Sequence, residues 1–107
     1  MAYKNDAPFQ VRKHIQLIDG VNAASIAGNV TLTLASSMFQ ILDGGGSDRD
    51  VVLPAEDMGL HYWIKNTGGS NNLVVKNDAG GTVQTLIPGQ SMLCASTNAS
   101  WNVIIKA

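Results

Sequence analysis

Asn66–Gly81, NTGGSNNLVVKNDAGG, decides the fold class of this chain. A short β-branched run, LVVK, stands between two loops built from Gly, Asn, Asp and Ser. Glycine supplies the positive φ angles that tight reversals need, so the run reads as a strand turned at both ends and paired with both of its sequence neighbours. The same punctuation recurs outward, with DGGGSD at 43–48, PGQ at 88–90 and STNAS at 96–100. That is the spacing of an antiparallel sandwich or barrel. The pieces between the loops alternate apolar and polar residues with the period of a strand. They are Asn29–Ala35, Met38–Leu42, Asp50–Leu53, His61–Asn66, Asn72–Asn77, Thr82–Leu86, Ser91–Ala95 and Trp101–Ile105. In the first, Val30, Leu32 and Leu34 share a face. No long window keeps an uninterrupted helical pattern, and one helical turn is expected around Pro54–Met58, where proline suits the first position and Glu56 and Asp57 the positive end. The expected architecture is all-β: an antiparallel, jelly-roll-like β-sandwich of about eight strands over residues 29–107, preceded by an extended N-terminal arm, residues 1–28.

The arm differs in kind from the rest. It runs from a polar start through FQVRKHIQLID to the small-residue stretch GVNAASIAGN, and two readings stand open: a segment that becomes a strand only against a partner, or an ordinary first strand of the body. Its charge is also distinct. Lys4, Arg12 and Lys13 against Asp6 give the first fourteen residues +2, whereas four basic and seven acidic side chains leave the remainder at -3.

At 107 residues the chain suits one domain, which buries roughly two thirds of its unfolded surface. It is 45% hydrophobic and only 14% charged, too apolar for a disordered chain and lightly charged for a free-standing monomer. Such a surface suits packing against other subunits. The net charge of -1 lacks the basic footprint of a nucleic-acid or anionic-membrane binder, so neither is expected as a partner. The start MAYKNDAPFQ has no apolar signal-peptide core, and no apolar run nears a membrane span, so a soluble, cytoplasmically made protein is expected.

Candidate chemistry is sparse. His14 and His61 each stand without other ligands at zinc spacing and read as polar strand residues. Asp43, Asp48 and Asp50 surround three glycines; a calcium loop is conceivable from the carboxylates, but the spacing fails the EF-hand pattern and turn chemistry accounts for them. Cys94 lies in an apolar strand and reads as a buried small hydrophobe rather than a nucleophile. The glycine clusters match neither a phosphate-binding loop nor a dinucleotide fingerprint. No catalytic residue, cofactor or metal site is expected. Alternation puts Tyr62 and Ile64 on one face of their strand and His61, Trp63 and Lys65 on the other. Trp63 is thereby a candidate interface anchor beside His61, while Trp101, alternating with Val103 and Ile105, is expected in the core.

The stretch TLTLASSMFQILDGGGSDRDVVLPAEDMGLHYWIKNTGGSNNLVVKNDAGGTVQTLIPGQSMLCASTNASWNVIIKA carries an ordered series of elements. A Gly-rich turn leads into VVLP, and GLHYWIKN, VKNDAGGT, PGQ and a terminal tryptophan strand follow. Over about residues 30–107 this order resembles the β-sandwich domain of tailed-bacteriophage head decoration (capsid cement) proteins, a pattern also seen in phage head-fibre and tail-fibre modules. The resemblance implies a non-enzymatic homotrimer on the outer surface of the virion capsid, made in the host cytoplasm and bridging major capsid protein subunits. It also implies that Met1–Asp19 reaches along the capsid or into an adjacent subunit; Lys4, Phe9, Arg12 and Lys13 are the candidate contacts of that arm, and His61 and Trp63 the candidate subunit interface on the exposed strand face. The alternative is a receptor- or glycan-binding fibre module, in which His61, Trp63 and the polar loops form a shallow recognition surface.

Overall fold

The computed structural model describes residues 20–57 and 59–107. These residues form nine strands and no helix: β1 (Val21–Ser25), β2 (Val30–Thr31), β3 (Phe39–Asp43), β4 (Arg49–Val52), β5 (His61–Asn66), β6 (Leu73–Lys76), β7 (Thr82–Leu86), β8 (Ser91–Ser96) and β9 (Trp101–Lys106). They make two sheets, one of five strands in the order β1-β3-β5-β8-β9 and one of four in the order β2-β4-β6-β7.

Both sheets are mixed, and this corrects the expectation of an antiparallel jelly roll. Four of the seven pairings are parallel: β1 with β3, β3 with β5, β2 with β4 and β4 with β6. From β1 to β6 the chain passes alternately between the two sheets, so each strand lies beside the one laid down a full circuit earlier. The circuits take 18 and 24 positions in the first sheet (Val21 to Phe39 to Trp63) and 21 and 24 in the second (Val30 to Val51 to Val75). Crossovers of this length are what parallel neighbours require. Antiparallel pairing begins only with β7, β8 and β9, which complete one end of the coil.

The reason lies in the glycine-rich loops. Residues 77–81 do form a hairpin, in which Asn77 Oδ1 accepts from the Ala79 and Gly81 amides (3.1 and 2.8 Å). Residues 44–48 and 67–72 are instead corners that carry the chain from one sheet to the other. Their polar side chains bond to the neighbouring corner as well as their own. Asp43 Oδ1 accepts from the Gly45 amide, Asn71 Nδ2 donates to the Gly45 carbonyl, and Asp48 Oδ1 accepts from the Asn72 amide, all at 2.7–2.8 Å. One circuit earlier, Asn29 Oδ1 takes the Asp50 amide at 2.8 Å. Gly45 has φ 69°, which a side chain would strain, and a Cβ on Gly68 would sit 3.1 Å from both Asn66 Oδ1 and Asp43 Oδ1. β6 accordingly pairs with β4 and β7 and not with β5, contrary to pairing with both sequence neighbours.

The inner faces share one core that includes Leu42, Tyr62, Ile64, Met92, Cys94 and Trp101 from the five-stranded sheet and Val51, Leu73, Val75 and Leu86 from the other. Three local expectations change. The strand at 29–35 stops at Thr31, because the Thr33 and Ser36 hydroxyls accept from the Ala35 and Thr33 amides and turn the chain, leaving Leu34 exposed. Residues 54–57 are not helical: the Pro54 carbonyl accepts from the Trp101 indole N–H at 2.9 Å, and Met58 lies outside the described residues. Trp101 is buried as expected, but Ile105 is exposed, since a bulge pairs Cys94 with Val103 and Leu93 with Ile105 and so reverses the facing of the strand end.

Asn66 joins these parts. It is fully buried, its Nδ2 donates to the Asn71 and Leu86 carbonyls (2.9 Å each), and its Oδ1 accepts from the Gly68 amide at 2.9 Å. Asn66→Ala would leave buried backbone groups without partners, each costing about 1–3 kcal/mol. The expected result in urea unfolding is a loss of about 3 kcal/mol or more, against less than about 1 kcal/mol for the more exposed Asn71→Ala.

Candidate interaction surface

The outer face of the five-stranded sheet holds the feature that sequence pointed to and several that it did not. In β5, Tyr62, Ile64 and Asn66 face the core, and His61, Trp63 and Lys65 face outward. His61 and Trp63 therefore share the exposed face, two residues apart on one strand. Lys4, Phe9, Arg12 and Lys13, together with His14, lie outside the described residues. Val21–Ser25, within the segment assigned to the arm, is a strand of the sheet.

Strand register builds a row around Trp63. Val21 is opposite Phe39, Phe39 opposite Trp63, Trp63 opposite Leu93 and Leu93 opposite Ile105. Five apolar side chains thus cross all five strands, a line of roughly 19 Å at the usual strand spacing. The Phe39 and Trp63 rings stack with centroids 6.2 Å apart and planes 16° from parallel. Val21 is 58% exposed, Trp63 38% and Ile105 52%, while Phe39 and Leu93 are half-buried. Beside the stack, Ile41 and Lys65 help line a shallow cleft of about 190 Å³. The bulged Ile104, also exposed, extends the apolar character at the β9 edge. Phe39, Leu93, Val21 and Ile105 escaped sequence reasoning because their alignment depends on circuits of unequal length and on the bulge.

The opposite outer face is different. On the four-stranded sheet Lys76 Nζ meets Asp50 Oδ2 at 2.9 Å between half-buried side chains, a polar pairing suited to solvent. Such a pair contributes little to stability.

The remaining candidates are structural in this geometry. Asp43 and Asp48 hold corner amides and Asp50 meets Lys76, so the three carboxylates are separately engaged. Among the described residues no group of three or more His, Cys, Asp or Glu side chains could hold a metal ion. No helix among them is long and apolar enough to cross a membrane. Cys94 is buried, with its thiol 3.7 Å from the Tyr62 carbonyl, and burial pushes its pKa up to about 11, away from thiolate chemistry at neutral pH. The Tyr62 hydroxyl donates to the Thr33 carbonyl at 2.9 Å; its pKa is raised, first by burial and then by Cys94.

Comparison with protein-family models, with curated proteins and with solved structures returned no match.

The raised thiol pKa sets a pH dependence. The folded chain retains the Cys94 proton after the unfolded chain has lost it, so stability is complete below pH 9 and falls as pH rises toward 11. Tyr62 adds a fall of the same sign at the alkaline end. Urea midpoints measured from pH 8 to 11 are expected to decline, and the decline should be shallower in Cys94→Ala.

Proposed function

We propose that this chain is a non-enzymatic structural subunit of a tailed-phage virion, a decoration protein that forms a homotrimer and stabilises the capsid from outside by bridging major capsid protein subunits. The observation that carries the assembling role is the apolar row Val21–Phe39–Trp63–Leu93–Ile105 across one outer face, with aromatic and aliphatic side chains of the kind enriched at the centres of subunit contacts. The phage-head setting rests on the ordered elements of residues 30–107. On this reading the two sheets are the layers of a sandwich-like body, and His61 and Trp63 belong to the subunit interface.

The mechanism is thermodynamic. Contacts available only in the assembled shell favour that shell over its ruptured state by the free energy of binding. Three copies joined in one trimer engage several shell subunits together, so individually weak contacts suffice. Membrane, nucleic acid and cofactors have no part in it.

The exposed Phe39–Trp63 stack and its cleft also favour a second reading, a glycan- or receptor-binding fibre module. Sedimentation and particle binding separate the two. The purified chain is expected to sediment as a trimer, and Trp63→Asp to shift it toward monomer with its circular dichroism unchanged. Density at regular positions on the parent head, and faster DNA release on heating particles that lack the protein, are expected. Density on a tail appendage, or glycan binding abolished by Trp63→Asp in a chain that remains trimeric, would replace this function with the second reading.

A further inference from the structure

A residue on a threefold axis meets two copies of itself, so charge limits where such an axis can run. The outer face of the five-stranded sheet carries parallel rows of side chains, set by strand register. The apolar row from Val21 to Ile105 has no ionisable group on any of its five strands. Two positions further along β5, the next row contains Lys65, between Ile41 and Ser91. On the other side lies the row of His61, Ala95 and Asn102. An axis along the Lys65 row would gather three ammonium groups where little water can screen them, and an axis tilted off the apolar row crosses one flank or both. Among the described residues of this face, the apolar row is the line that can meet its own copies at every strand.

The width of the face suits three copies. β3 has five residues, β5 and β8 six, so the face measures roughly 17–20 Å along the strands. Three such faces set as the sides of a triangular prism lie about 5–6 Å from its centre, half the ~10 Å between packed sheets. Side chains of ordinary length from the three copies then meet at the middle, as they do in a sandwich core.

We propose that the trimer axis runs along this row, with three copies parallel and in register. Val21 then meets Val21 at one end, Ile105 meets Ile105 at the other, and the aromatic stack of each copy joins two more between them. The Lys65 flank of one copy faces the His61 and Asn102 flank of the next, where a neutral imidazole and a carboxamide can accept from the ammonium group. The inference rests on the homotrimer reading above and adds the arrangement of its copies.

Cross-linking tests the arrangement, and sedimentation of the same samples tests the reading beneath it. In a Cys94→Ala background, Val21→Cys and Ile105→Cys place thiols at the two exposed ends of the row, and Thr82→Cys places one on the exposed end of β7 in the other sheet. Under mild oxidation each row variant is expected to give disulfide-linked dimers, about tenfold or more over Thr82→Cys at the same concentration. A trifunctional maleimide should join all three chains at either position. Mixed Val21→Cys and Ile105→Cys chains should link only like to like, because the two ends stand roughly 19 Å apart. Trimers that link 21 to 105, link at neither end, or link equally through Thr82→Cys would overturn the axis and leave the homotrimer standing. A chain that sediments as a monomer would overturn both.

Discussion

The buried amide of Asn66 is the constraint on which the arrangement of the coil depends. A carboxamide with three hydrogen-bonding partners and no access to water must be satisfied by groups held in fixed places. Those groups come from the corner that follows it and from the end of β7. Its backbone adds two more ties, the amide to the Gln90 carbonyl and the carbonyl to the Gly89 amide. The last parallel circuit, the crossing between β7 and β8 and the close of β5 therefore meet at one side chain. Gly68 must be small because it approaches that same amide and the Asp43 carboxylate.

That side chain also explains what could be read in the sequence. The strands were legible because each carries its own alternation, and His61–Asn66 and Thr82–Leu86 coincide with the expected bounds. The inward Tyr62 and Ile64 and the outward Trp63 followed from the same period. The partner of each strand was not legible. A five- or six-residue loop of Gly, Asn, Asp and Ser serves equally as a hairpin turn or as a corner, since both rely on side-chain bonds to the backbone. What separates 77–81 from 44–48 and 67–72 is that its side-chain bonds stay within the loop while theirs reach the neighbouring corner, a non-local fact. β1 was obscured for another reason: VNAAS lacks the β-branched and aromatic density of the other strands, and its place comes from pairing with β3.

The candidate surface shares this property. Trp63 alone was visible as an outward aromatic. The row containing it exists only when circuits of 18 and 24 positions and one bulge are combined. The two outer faces of the body consequently differ: one carries a continuous apolar line, the other a Lys–Asp pair. A contact made through the first buries aromatic and aliphatic area without stripping water from a charged pair, the more favourable desolvation of the two.

Stacked corners bring a property of scale. Each circuit is bonded to the next by the same kind of Asn or Asp side chain, Asn29 to the Asp50 amide and Asp48 to the Asn72 amide. Each turn adds one strand spacing, about 4.8 Å. The height of the described body is in effect a count of its turns.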